Sequence, residues 1–266
     1  FIMLVLLGAF MALPMVYAVV QSVKPLEELY IFPPRFYARR PTLDNFRDLI
    51  TVSASLSVPF ERYVLNSVFV SLVITVGHVI IASMAAYPLA KHKFPGHRIL
   101  FNVIVTTLMF SAPVMSIPTY IVVARLHLIN NYLSIILPAF ASTLGLYLMK
   151  QFMTQIPESM LEAARIDGAR EMRIFFRIVM PQVKPAWLTV IIFAFQSAWN
   201  QTGGSFIYNE ELKLLPTILG QISAGGIARA GVSSAAAVLL MIPPIATFLI
   251  TQSNVIETMS YSGIKE

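Results

Sequence analysis

Three groups of residues in this 266-residue chain have the type and spacing to do chemistry. Glu162, with Ala163, Ala164, Asp167, Gly168 and Pro181, stands in the charge-rich stretch Gln151–Pro185. A carboxylate held in a cleft accepts charge-assisted hydrogen bonds from Arg or Lys, and these strengthen as water is excluded. Left in solvent it is a helix charge worth ~0.5 kcal/mol or less with a neighbour. Asn66, Gln196, Trp199 and Asn200 are polar or amphipathic side chains within apolar runs. Amides can hydrogen-bond hydroxyls and an indole face can cover C–H surface, which together suit a sugar. The same residues can instead join helices, at ~0.6 kcal/mol per contact on average in a membrane. Tyr208, Asn209, Glu210 and Glu211 form a polar group in a long connection. No catalytic constellation accompanies them. There is no Gly-rich loop ending in Lys-Ser/Thr to cradle phosphates, no His-x-x-x-His helix and no close cluster of acids with His. With no Cys, disulfides, thiolate metal sites and thiol catalysis are excluded. No metal site and no catalytic residue are expected.

The elements that must hold these residues are membrane spans. The chain is 57% hydrophobic and 12% charged, with mean hydropathy +0.73, against roughly 25% charged residues in soluble chains. Apolar runs reach the ~20 residues that cross ~30 Å of hydrocarbon. They are continuous rather than alternating, which argues against a β-barrel. The fold expected is all-α: a single polytopic membrane domain over residues 1–266. Six spans are read at Phe1–Val20, Tyr63–Leu89, Ile99–Ala124, Tyr132–Met149, Ala186–Asn200 and Gly231–Ile256. The chain opens at Phe1 inside an apolar run, which suggests that its natural start lies upstream. Two long polar connections, residues 21–62 and 201–230, leave on one side, and the stretch 151–185 leaves on the other. In the first, Thr42 is placed to cap a short helix. The net charge of +6 is no nucleic-acid signal, because the basic residues sit in loops.

Six spans put both termini on the side of residues 151–185, with ten basic residues there against nine opposite. That difference does not orient the chain; the compact turn Lys91–Arg98 leans cytoplasmic. In Gln151–Pro185, two short helices around an Asp167-Gly168 turn are expected, since Gly takes φ > 0 without steric cost. The second helix would carry Ala169, Met172, Phe176 and Val179 on one face and Arg170, Arg173 and Arg177 on another. His78, an ionisable residue in mid-span, is either functional or a neutral histidine bonded within the bundle.

Glu162-Ala163-Ala164, three residues, Gly168, nine residues, then Ile178-Val179-Met180-Pro181 resembles the EAA motif of ABC importer membrane subunits. Met180 stands where Leu is usual, an exchange that nearly conserves volume. Asn66-Ser67, Ala85-Ala86-Tyr87, Phe94-Pro95-Gly96, Trp199-Asn200 and Gly263-Ile264-Lys265 resemble the maltose-type carbohydrate importers within that superfamily. Gln201–Tyr208 departs from the aromatic, apolar run usual after the Trp-Asn pair. Coverage is roughly Asn45 to the C-terminus.

The resemblance implies a bacterial or archaeal inner-membrane protein of the type I importer fold, without ATP hydrolysis of its own. Glu162, Ala163, Ala164, Asp167, Gly168 and Pro181 would then form a cytoplasmic loop docked into an ATPase subunit. Tyr208, Asn209, Glu210 and Glu211 would face an extracytoplasmic sugar-binding protein, and Met259–Glu266 would reach toward the ATPase dimer. Implied partners are a second, different permease chain, two ATPase subunits that hold ATP and Mg, the binding protein and the lipid bilayer, with no nucleic acid. The solute implied is a carbohydrate, an oligosaccharide in particular. An ion-coupled secondary transporter is the alternative; it calls for intramembrane acids, and residues 63–149 contain none.

Overall fold

A computed structural model describes residues 2–54, 58–110, 112–226 and 229–263, all of them helical or irregular. In chain order the helices are α1 (Ile2–Ser22), α2 (Leu26–Leu29), α3 (Asp44–Ala54), α4 (Phe60–Lys91), α5 (His97–Thr107) and α6 (Ala112–Arg125). Then come α7 (Leu133–Phe140), α8 (Thr143–Thr154), α9 (Glu158–Ile166), α10 (Glu171–Ile174), a π-turn (Phe175–Val179) and α11 (Met180–Gln182). The chain finishes with α12 (Lys184–Trp199), a 3₁₀ turn (Glu210–Leu212), α13 (Leu215–Ser223) and α14 (Ala230–Gly263).

Among the described residues four helical stretches are long and apolar enough to cross a membrane: Ile2–Ser22, Phe60–Lys91, Leu133–Thr154 and Ala230–Gln252. A fifth is added if Glu171–Gln182 and Lys184–Trp199, bent by 80°, count as one. The run Ile99–Ala124 emerges as α5 and α6, of 11 and 14 residues. Neither alone reaches the ~20 residues of a span. α14 continues to Gly263, past the expected end at Ile256, so most of the polar tail is helical. Residues 264–266 lie outside the described residues.

The chain divides into two compact units. The first comprises Phe1–Ser67, Asn200–Gly204 and Tyr208–Ile245. Of α1, only Ser22 is buried. An apolar helix exposed on every other face is what lipid accepts and water does not. Asn45 is 6% exposed and donates through Nδ2 to the Ser22 and Lys24 carbonyls at 2.9 and 2.7 Å. It thereby ties the end of α1 to α3. Its Oδ1 lies where a Cβ on Gly231 would come within 2.1 Å, so glycine at the start of α14 makes room for this clamp. The buried Lys24 ammonium donates to the Arg35 carbonyl, and burial lowers its pKa. α3 begins at Asp44, whose N–H points to the Thr42 hydroxyl at 3.4 Å. Thr42 thus helps start the helix from two residues ahead.

The second unit comprises Val68–Trp199, Ser205–Ile207 and Ala246–Glu266. Its core joins Ala86 and Tyr87 of α4, Met149 and Met153 of α8, Leu161 and Ala164 of α9, and Ile174, Phe175, Val179, Val183, Ala186 and Val190. The segment after Gly168 therefore buries Ile174, Phe175 and Val179, while Met172 and Phe176 are exposed. That corrects the face expected from 3.6-residue periodicity. The π-turn at Phe175–Val179 widens one turn and rotates the apolar stripe relative to an ideal helix.

His78 is 3% exposed and donates from Nδ1 to the Phe140 carbonyl at 3.3 Å. A Cβ on Gly145 would lie 2.1 Å from its Nε2. His78 is thus a packed bundle histidine seated over a glycine. Gly145→Ala should cost roughly 1–3 kcal/mol of overpacking, seen as a lower melting temperature in detergent. The same change in a His78→Ala background should cost nearly nothing; equal penalties in both backgrounds would contradict this packing.

Candidate functional site

Residues 155–183 form an arch between α8 and α12, all within the second unit. Pro157 precedes α9 with φ −60°, a value its ring fixes. α9 ends at Asp167, and Gly168 takes φ +78°, the left-handed conformation that closes such helices. The Gly168 and Ala169 N–H groups donate to the Arg165 and Ala164 carbonyls at 3.0 Å each. A Cβ on Gly168 would meet nothing within 4 Å in this chain, so the glycine serves its backbone angle and leaves the outer side of the turn open.

The two faces of the arch differ. Leu161, Ala164, Ile174 and Phe175 face the core, while Glu162, Ala163, Asp167 and Pro181 are exposed. Exposed beside them are large apolar side chains: Ile166 at 86%, Met172 at 56% and Phe176 at 53%.

A polar network that the sequence reading did not single out fixes the arch to α4. The Tyr87 hydroxyl donates to Glu171 Oε2 at 2.8 Å, and Arg165 Nε donates to Glu171 Oε1 at 2.8 Å. The hydrogen bond to Glu171 raises the Arg165 pKa above its ordinary value. His92 Nε2 lies 3.8 Å from Glu171, and Lys91 Nζ donates to the Ile156 carbonyl at 2.5 Å and lies 3.7 Å from Glu158. Lys91 is bound to the start of the arch, so the Lys91–Arg98 turn and the arch share one side of the bundle. The available signal was a tyrosine and basic residues ending α4 and a glutamate opening α10, distant in sequence.

The expected path residues are placed individually. Asn66 is 6% exposed, and its Nδ2 donates to the Glu211 and Lys213 carbonyls at 2.9 and 3.0 Å. Next to it, Ser67 Oγ accepts the Leu215 N–H at 2.7 Å. Both therefore hold the connection before α13, in the first unit. Trp199 is buried and stacks on Phe195 with centroids 5.9 Å apart, while Gln196 is exposed; both are in the second unit. Asn200 is exposed and belongs to the first.

Tyr208, Asn209 and Glu211 are exposed, and Glu210 pairs with Lys213. Asn209 Oδ1 caps the 3₁₀ turn by accepting the Glu211 N–H at 3.1 Å. α13 buries Leu215, Pro216, Ile218, Leu219 and Ile222, so it is packed into its unit and does not lie free. The connection is a braced platform presenting Tyr208 and Glu211.

Residues 77–260 match the family described as binding-protein-dependent transport system inner membrane component, and the chain belongs to that family. It is a non-catalytic inner-membrane permease subunit of an ABC importer. This membership displaces the ion-coupled alternative. The chain is 31% identical over 255 residues to the sn-glycerol-3-phosphate transport system permease protein UgpE of Escherichia coli O1:K1 / APEC, covering 94% of this chain and 91% of that one. It is 33% identical over 213 residues to the UgpE of Pectobacterium atrosepticum, covering 78% and 76%. A chain in the crystal structure of a bacterial ABC transporter involved in the import of the acidic polysaccharide alginate shares the fold. The TM-score there is 0.78 and the identity 24%, covering 95% of this chain and 94% of that one. The inward-facing MetNI methionine ABC transporter aligns at 0.57, with 16% identity over 73% of this chain and 93% of that one.

Asn66→Ala would leave two loop carbonyls without their donor, costing about 1–3 kcal/mol. Hydrogen exchange at residues 209–215 should quicken and the melting temperature fall. Altered transport with unchanged exchange and melting would place Asn66 on the permeation path instead.

Proposed function

We propose that this chain is one of two different permease subunits of an importer that carries a carbohydrate, in particular an oligosaccharide, delivered by an extracytoplasmic binding protein. Six crossings are proposed, with α5 and α6 together making the third and α12 the fifth. The arch is then a cytoplasmic coupling loop, and the Tyr208–Glu211 platform lies outside. Two ATPase subunits holding ATP and Mg are the proposed partners of the arch. Asn66 is proposed as a brace for the outer platform, and Gln196, Trp199 and Asn200 remain the proposed path residues.

The observation that carries this reading is the two-faced arch. Its inner side is locked into the core by Leu161, Ala164, Ile174 and Phe175, and its outer side offers Glu162, Ala163 and the exposed Ile166. A segment fixed on one side and apolar on the other can transmit a push from a docked ATPase to α8 and α12 as a rigid lever. The open space beside Gly168 allows a second backbone to come close. The relatives' names favour a second reading, a phosphorylated polyol as the solute.

The test uses the assembled transporter in proteoliposomes. Glu162→Ala, losing a charge-assisted bond worth about 1.5–3 kcal/mol, should lower uptake per ATP roughly tenfold or more. Gly168→Asn keeps a residue that tolerates the left-handed backbone but fills the open side, and should uncouple as well. Normal uptake in both variants would overturn the coupling role. For the solute, ATPase stimulation by the cognate binding protein should be greater with neutral oligosaccharides than with glycerol 3-phosphate; the reverse order would favour the second reading.

A further inference from the structure

A cavity of about 970 Å³ in the second unit lies beside the arch, and its two sides differ in charge compensation. On one side, Lys91, His92 and Arg165 face Glu158 and Glu171 in the network described above, and the exposed Glu162 also lines the cavity. On the other stand Lys93, His97, Arg98 and Lys150. Among the described residues none of these four pairs with an acid, and Lys150 instead sits over the Phe101 ring at 4.2 Å. Phe101 is itself stacked on Tyr147, centroids 6.3 Å apart. Over the whole lining Lys91, Lys93, Arg98, Lys150 and Arg165 outnumber Glu158, Glu162 and Glu171, so the cavity favours an anion.

Asn102 lines this cavity and also a second groove, of about 330 Å³, formed by Ile99, Val103, Thr106, Thr107 and Phe110. Ile99, Val103 and Phe110 are more than half exposed. The groove follows α5 for roughly 15 Å, at ~1.5 Å per residue, about half of a ~30 Å hydrocarbon core. A basic pocket opening into an apolar groove one leaflet deep matches one class of ligand.

We propose that this face binds an anionic phospholipid, with its phosphate among Lys93, His97, Arg98 and Lys150 and an acyl chain along α5. Free phosphate shares the headgroup chemistry but has no use for the groove. Basic pockets between membrane helices recognise such headgroups. The lipid would abut the wall that holds the arch, so membrane composition would bear on the stiffness of that attachment. The proposal rests on the reading of α5 as part of a membrane crossing and not on the identity of the solute.

The assembled transporter is purified in mild detergent and its retained phosphatidylglycerol counted by mass spectrometry. The Lys93→Gln/Arg98→Gln double variant should retain roughly tenfold less, as expected for losing two cations beside an anionic headgroup. Val103→Trp, which fills the groove without touching a charge, should also lower retention, and Arg125→Gln at the end of α6 should not. Equal retention in all four proteins would overturn the proposal, including the case in which a partner subunit covers α5. Loss only in the double variant, with displacement of the lipid by inorganic phosphate, would show an anion site without lipid specificity and would overturn it too.

Discussion

The interaction on which the rest depends is the apolar seam between the arch and the bundle. Ala86, Tyr87, Met149 and Met153 receive Leu161, Ala164, Ile174, Phe175 and Val179. Burying a side chain of this size is worth about 1.5–3 kcal/mol, so the seam outweighs the half-exposed ion pairs at its rim, each worth ~1 kcal/mol or less. The rim pairs add direction. Tyr87, Arg165 and His92 converge on Glu171, and Lys91 holds the Ile156 carbonyl, so the seam has one register. A loosely attached arch would absorb a partner's movement; one packed in this way passes it on. The 80° bend between the arch's second helix and α12 is where such movement would enter the bundle.

The connection before α13 is built by other means. Within residues 208–214 Leu214 is fully buried, and polar contacts set the rest: Asn66 to two carbonyls, Ser67 to the Leu215 N–H, and Asn209 to its own turn. α13 then buries five residues and anchors the far end. Hydrogen bonds specify geometry at modest net energy, which suits a platform that must keep its shape while leaving Tyr208 and Glu211 exposed.

Much of this was legible in the sequence because it follows from local rules. The long apolar runs located α1, α4 and α14, and Asp167-Gly168 located the turn that φ +78° realises. The features that were not legible depend on contacts between distant residues or on departures from ideal geometry. Periodicity grouped Met172 and Phe176 with the buried Val179 because it assumes 3.6 residues per turn, and the π-turn at Phe175–Val179 breaks that assumption between them. Asn66 read as a path residue because a polar side chain in a span has two ordinary uses, and its bracing partners, 145 and 147 residues away, are not visible in the sequence. The polar tail predicted an earlier end to α14, but no proline or glycine stands between Pro244 and Gly263 to stop the helix. His78 was left between two readings that Phe140 and Gly145 resolve toward packing.

The central claim is that the outer side of the arch is the contact through which ATP hydrolysis reaches the bundle. The chain contains no cysteine, so single cysteines can be introduced without a background thiol. The direct measurement is disulfide trapping between Ile166→Cys at the tip of the arch and single cysteines placed around the cleft of the ATPase subunit, in the assembled transporter. The account predicts rapid cross-linking at Ile166 and loss of ATP-driven uptake that reduction restores. It predicts none from Asn130→Cys, in the turn after α6. Cross-linking absent at Ile166, or present while uptake continues undiminished, would contradict it.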